Sequence, residues 1–433
     1  MSDQHDSLSE DVLARSFCKA NPELRYVAQW GCWMRWDGTR WVQDNTLFVF
    51  DRVRNHIRLS NPQNPSIWLT AKRVAAVERL AKADRAYATT PDLWDNNDLE
   101  LNTQSGIVQL QSTRLLPSDP DRYCTLVTGA ESPLGACPVW DQFIDQITGG
   151  DQEYASYLQR IIGYGATGLT HEHAFFFLLG TGANGKGTFL NTLGKVLGSY
   201  VKNAPMNTFT ESRSEAHPTE LAMLQGARMV IAQESNRGQY WAESRIKALT
   251  GGDPVTARKM RQNFFTYQPK FKIFFSGNHM PQLRSVDRAM QRRLKILPFL
   301  QVFRDTAADP GLTNRLWAER NGILRWIVEG AKKYLQIGLA TPDLVESYTM
   351  DYLNSQDTFG LWISECCEID PTFWDSPQNL YDSWCIFTSE YDEDPGSSKT
   401  LGDRLSKGGF KRGNSSSKGG RYWIGLRGRD QNR

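Results

Sequence analysis

The sequence of 433 residues is 40% hydrophobic and 23% charged, the composition of a folded globular chain long enough for two to four domains. No run reaches the roughly 18 apolar residues that a membrane span needs. The opening Met1–Asp6 is polar, and seven cysteines occur without a CxxC pair. Membrane, secreted and fibrous classes are therefore excluded, and a reducing cytoplasm is the expected location. The net charge of +2 hides an asymmetry, because from Ser397 onward ten Lys or Arg face only Asp403 and Asp430. Such an end is either a contact for phosphate or a solvated tail.

Residues 1–135 read as a mixed, β-rich unit. Trp30, Trp33, Trp36 and Trp41 flank Asp37-Gly38, a turn dipeptide that predicts a hairpin. Its aromatics can stack bases, but cross-strand packing is the commoner use. A helix is expected within 65–88, and short strands around Leu101–Leu116. From Pro138 the apolar period becomes helical (Val139, Phe143, Ile144, then Tyr154, Leu158, Ile161). Apolar runs at Phe175–Leu179, Met229–Ala232, Phe271–Phe275 and Leu294–Leu297 alternate with helical segments, the pattern of a parallel α/β sheet. Residues 310–340 are helical again, and Thr341-Pro342 marks a boundary. The last 90 or so residues read as short helices, a Gly/Ser-rich break and a strand at Tyr422-Trp423-Ile424, an order compatible with a winged helix.

The strongest chemical signal follows the Phe175–Leu179 strand. Gly180, Gly182, Asn184, Gly185, Lys186, Gly187 and Thr188 form a glycine-rich loop that opens a helix. Glycines let backbone N–H groups curl around an anion, a lysine meets β/γ-phosphates, and the helix N-terminus adds positive potential. This predicts ATP as ligand. The residue after the lysine usually supplies a hydroxyl to Mg²⁺, but here it is Gly187, which leaves Thr188 as the nearest hydroxyl.

Three further elements follow. Met229–Gln233 leads into Glu234, a strand-end carboxylate suited to Mg²⁺ or to the attacking water, while Gln233 stands where a second acid is common. Phe271–Gly277 leads into Asn278, which can orient water. Arg292 and Arg293 precede Leu294, and a guanidinium there can serve a neighbouring subunit's ATP. Between the second and third lie Lys247, Arg258, Lys259, Arg261 and Phe264, a plausible basic and aromatic hairpin for a DNA backbone and its bases. His171-Glu172-His173 lacks the spacing of a metal helix, and Cys366-Cys367 read as buried thiols.

In this order the loop, the Glu234 strand, Leu249-Thr250-Gly251-Gly252-Asp253, the Asn278 strand and the arginine pair resemble a superfamily 3 helicase of the AAA+ class. The nearest likeness is to the helicase part of phage and plasmid primase–helicases, with poxvirus-type relatives. The resemblance covers roughly residues 25–430 and is most specific in the centre. It implies an α/β AAA+ core over 136–340, a mixed α/β N-terminal domain over 1–135, and a winged-helix-like DNA-binding domain over 341–433. It further implies a DNA-replication helicase: a homohexameric ring on single-stranded DNA and replication forks. Lys186 and Glu234 would face an arginine from the next subunit, Lys259, Arg261 and Phe264 would lie on the pore hairpin, and ATP and Mg²⁺ would be bound. Fewer than 140 residues precede the ATPase, so no primer synthesis is expected, and a separate primase or polymerase is a candidate partner. The host cell's cytoplasm is the setting if the gene is carried by a virus or plasmid. An origin-melting remodeller and a catalytically weak DNA-binding module are the alternative readings.

Overall fold

The computed structural model describes residues 9–60, 69–211, 218–233, 238–258, 263–284, 286–303, 309–390, 394–415 and 420–429. The first unit is more helical than its sequence suggests. Helix Glu10–Ala20 starts where the Ser9 side chain accepts the Val12 N–H, and it buries Leu13, Ala14, Phe17 and Cys18. Helix Phe48–Ser60 buries only Val49, Val53 and Ile57, spaced one turn apart, with charged residues around them. Helix Ala71–Ala83 falls inside the expected 65–88 segment. These helices close over a four-stranded sheet whose hairpin, Cys32–Trp36 with Trp41–Gln43, pairs Trp36 with Trp41. Asp37 Oδ1 accepts the Thr39 and Arg40 N–H groups and fixes that turn. Trp33 and Trp41 are buried, so the hairpin aromatics serve mainly as packing.

The central sheet has five parallel strands, one more than the apolar runs of the sequence predict. In space they run Leu294–Pro298, Phe175–Leu179, Lys272–Gly277, Met229–Gln233 and Val201–Asn203. Alternation splits each strand between two cores. Phe176, Leu178, Ile231 and Phe274 pack under helices Pro138–Thr148, Gln152–Ala166, Lys186–Leu197 and Arg320–Ile337. Phe175, Phe177, Val230 and Phe275 pack under Glu243–Gly251 and Arg288–Arg293. Both faces are covered, as an all-parallel sheet requires. Helices Gln152–Ala166 and Arg320–Ile337 touch backbone to backbone: a β-carbon on Gly163 would lie 2.0 Å from Ala331 N, and one on Gly330 2.1 Å from Gln159 O.

Packing crosses both boundaries drawn from the sequence. Leu101, Val108 and Leu110, from the small sheet of residues 100–116, belong to the central core. At the other end, helix Asp343–Ser355 sends Leu353 into the second core, and Thr349 Oγ1 accepts the Ile296 N–H. The third unit therefore begins near Asp357. It contains helices Thr358–Cys366, Pro377–Glu390 and Ser398–Lys407 and a three-stranded antiparallel sheet. Cys366, half-buried, ends its helix, and Cys367, buried, opens strand Cys367–Asp375, an element that the sequence pattern does not announce.

Candidate functional site

The glycine-rich loop connects the carboxyl end of Phe175–Leu179 to helix Lys186–Leu197. The winding order of the sheet switches at this strand, because its neighbours are the fourth and fifth strands in sequence, Lys272–Gly277 and Leu294–Pro298. Crevices at such switch points, beyond the carboxyl ends of strands, are where open α/β sheets bind ligands. The loop alternates its backbone accordingly, with φ of +108° at Gly182, +50° at Ala183 and +81° at Gly185, which caps the helix. Such alternation turns successive N–H groups toward one concavity, and the helix dipole adds to it.

Lys186 is 7% exposed, and its ammonium is held by three oxygens. It donates to Gly180 O at 2.8 Å, Asn184 Oδ1 at 3.1 Å and Asn278 Oδ1 at 3.2 Å. Burial pushes its pKa below the ordinary lysine value. Asn184 is buried and accepts the Gly182 N–H as well, while its amide donates to Gln301 O. Phe303 N donates to Ala183 O, so the segment after Leu294–Pro298 braces the loop from the side. Phe143 and Ile147 close it from below, within 3.2 Å of a β-carbon built on Gly185. Gly187 faces open space, with no atom within 4 Å of such a carbon. These braces come from segments up to 120 residues away in sequence, so no local pattern announces them.

Thr188, one residue further on, lines a cavity of about 460 Å³ with Asn191, Lys195, Asn203, Ile231 and Trp317. Gln233 closes the carboxyl end of its strand with its amide 3.4 Å from Asn191 Oδ1. Glu234, named from the sequence as base and metal ligand, lies outside the described residues, as do Lys259 and Arg261. Asn278 is where the sequence placed it. It follows Gly277, which pairs with Leu179, so it stands level with the loop one strand over.

The arginine pair divides. Arg293 is buried, donates to Thr250 Oγ1 at 3.2 Å and to Ala289 O at 3.0 Å, and thus fastens two helices. Arg292 is exposed. Both lie at the amino end of the Leu294–Pro298 strand, a full strand length of about 16 Å from the loop's end of the sheet. Lys247 is not brought to the hairpin. It is held between Glu243 Oε2 at 3.4 Å and Asp287 Oδ2 at 2.5 Å, and that pairing removes it as a free cation. The hairpin itself forms: Val255–Arg258 pairs with Phe264–Tyr267, and the Arg258 guanidinium lies 5.3 Å from the Phe264 ring centre. Phe264 is 60% exposed, whereas Val255 and Ala257 are buried on the opposite face. His171 and His173 bond Tyr334 Oη and Thr250 O respectively, and no group of three metal-type ligands occurs among the described residues.

Residues 11–149 match the family described as "D5 N terminal like", and residues 178–293 match a family of unknown function, DUF5906. Three viral proteins named as putative helicases are similar. One from Acanthamoeba polyphaga mimivirus is 26% identical over 63% of this chain and 31% of its own length. One from Frog virus 3 is 26% identical over 49% and 23%. One from Invertebrate iridescent virus 6 is 31% identical over 31% and 14%. The matches thus span less than a third of each relative. Among solved structures, the C-terminal region of NrS-1 shares the fold at TM-scores of 0.50 and 0.51 with 10% and 9% identity. Those matches cover 79% and 82% of this chain and 74% and 76% of the NrS-1 chains. No helix among the described residues is long and apolar enough to cross a membrane. A P-loop-like core in a parallel α/β sheet, two family matches and these viral relatives make the chain similar to viral proteins named as putative helicases.

Proposed function

We propose that the chain is an ATP-driven DNA helicase motor: a homohexameric ring that hydrolyses ATP and translocates on single-stranded DNA at replication forks. The observation that carries this reading is the Lys186 ammonium, desolvated and held between the loop and Asn278 at the switch point of the sheet. An anion entering the loop competes for this ammonium. Asn278, one of the three partners of the ammonium, is then available to the γ-phosphate or to the attacking water. Water attacks the γ-phosphorus, the bond to the β–γ bridging oxygen breaks, and Glu234 takes the water's proton. Mg²⁺, when bound, would neutralise phosphate charge, with Thr188 and Glu234 as the residues to hold it.

Arg292 is the finger for an adjacent copy's ATP, because it is exposed and a strand length from its own loop; Arg293 is a fastener. Arg258 and Phe264 contact the DNA backbone and bases, together with Lys259 and Arg261. A separate primase or polymerase would supply primers, and the host cytoplasm is the compartment. ATP turnover measured with and without single-stranded DNA tests the reading, with Lys186→Ala as control. DNA-stimulated turnover that the substitution abolishes, together with unwinding of a forked duplex, is expected. Turnover that survives Lys186→Ala, or absent unwinding on every fork, overturns it.

A further inference from the structure

The cavity of about 460 Å³ that begins at Thr188 runs along helix Lys186–Leu197, against Ile231, the edge strand Val201–Asn203 and Trp317. Thr188, Asn191 and Lys195 follow one another at intervals of three and four residues, so they share one face of that helix. They offer a hydroxyl, an amide and an ammonium in turn, and Lys195 stands about 10 Å along the axis from Thr188. Asn203 and Thr313 add an amide and a hydroxyl from other elements. No carboxylate lines the cavity among the described residues. Lys195 is exposed and makes no ion pair among them. A cavity so lined receives anions.

Its position selects the anion. The Lys186 ammonium reaches toward Asn278, on the strand between Phe175–Leu179 and Met229–Gln233, so the terminal phosphate of a nucleotide lies on that side of the loop. The other side is braced by Gln301 and Phe303, and Phe143 and Ile147 close the loop from below. After cleavage ADP still fills the loop, and the free direction for the phosphate is past Thr188 along the helix. Gln233 stands at this threshold. Alternation puts it on the same sheet face as Ile231, and its amide lies 3.4 Å from Asn191 Oδ1. A carboxylate at this position would repel the departing anion, whereas a carboxamide does not. Glu234, having taken the proton of the attacking water, is neutral at that moment. Beyond the two amides, Lys195 supplies the attraction.

We propose that this cavity is a binding site for the inorganic phosphate product, which passes Asn191 to Lys195 before it reaches solvent while ADP stays in the loop. The inference rests on ATP hydrolysis at that loop. The test uses the full chain with ATP, Mg²⁺ and single-stranded DNA in single turnovers, with cleavage read by acid quench and release by a fluorescent phosphate sensor. Lys195→Glu and Asn203→Asp, both at exposed positions, should each slow release about fivefold or more and leave cleavage within about twofold. Lys195→Gln should show a smaller effect in the same direction. Lys202→Glu makes the same charge change on the opposite face of the edge strand, since its partner Val230 belongs to the other core, and should leave release unchanged. Calorimetric titration of inorganic phosphate into the ADP-bound chain should show affinity weakened about tenfold in Lys195→Glu. Unchanged phosphate affinity in Lys195→Glu, an equal slowing in Lys202→Glu, or cleavage and release falling together overturns the proposal and leaves the motor standing. Absent turnover in the unsubstituted chain refutes the motor and the exit site with it.

Discussion

Alanine at Gly185 and alanine at Gly187, two positions apart in one loop, should act in opposite directions. Gly185 has φ +81°, and a β-carbon there meets Ile147 Cγ2 at 2.9 Å and Phe143 Cε2 at 3.2 Å. Both neighbours are buried, so neither moves aside freely. The left-handed conformation costs an L-residue about 1–2 kcal/mol, and overpacking adds about 1–2 kcal/mol. The loop relaxes rather than bear about 2–4 kcal/mol, and its N–H groups leave the concavity. If that whole strain opposes binding, ATP affinity falls about thirtyfold or more, at 1.4 kcal/mol per tenfold. Gly187 is within the helix and meets nothing within 4 Å. Alanine there removes backbone entropy from the unfolded chain and should stabilise by about 0.5–1 kcal/mol, with ATP affinity within about twofold of wild type. Calorimetric titration with a non-hydrolysable ATP analogue and thermal melts of both variants measure the contrast. Equal losses, or wild-type affinity in Gly185→Ala, would refute the reasoning about this loop.

Other outcomes follow from the same structure. Thr188→Ala should lower Mg²⁺-dependent turnover about tenfold or more, and adding Gly187→Ser should restore much of it; a Mg²⁺ titration of the double variant decides. Gly163→Ala drives a methyl into the backbone at Ala331 and should cost about 3 kcal/mol, read by urea denaturation. Burial pushes the Cys18, Cys137 and Cys367 thiols up to about 12. At pH 8 their thiolate fraction is then about 10⁻⁴ against about 0.2 for a free cysteine, so mapped alkylation should spare them until the chain unfolds. Phe264→Ala should leave the melting temperature unchanged, because the ring is 60% exposed, while oligo(dT) binding weakens by about 1–3 kcal/mol.

The sequence carries the site's chemistry better than its geometry. Strand, glycines, lysine and helix lie next to one another along the chain, so the phosphate loop was readable before any fold was known. The Val201–Asn203 strand was not: three residues with a central lysine show no alternation, and only pairing with Met229–Ile231 makes them a strand. The bracing of Asn184 by Gln301 and the division of labour between Arg292 and Arg293 were equally hidden, since burial decides them and neighbouring residues do not report it. Lys247 shows the reverse error. It looked like a free cation until folding set Asp287 beside it. Helix Phe48–Ser60 was readable and overlooked, because three aliphatic residues a turn apart are a thin stripe among charges.

Thr250 gives the hairpin an unusual mounting. Its carbonyl meets His173 Nδ1 at 2.9 Å and its hydroxyl accepts from Arg293, so it is pinned to the amino ends of two adjacent strands. Immediately beyond come Gly251 and Gly252, the latter at φ +83° and accepting from Gln268 Nε2 at 3.3 Å, before the hairpin begins at Val255. A load applied to the hairpin therefore passes through the Gly251-Gly252 joint and through the packing of Val255 and Tyr267 on the second core into strands whose far end carries the phosphate loop. In such a lever, lengthening or stiffening the joint changes the stroke while leaving the chemistry at the loop untouched.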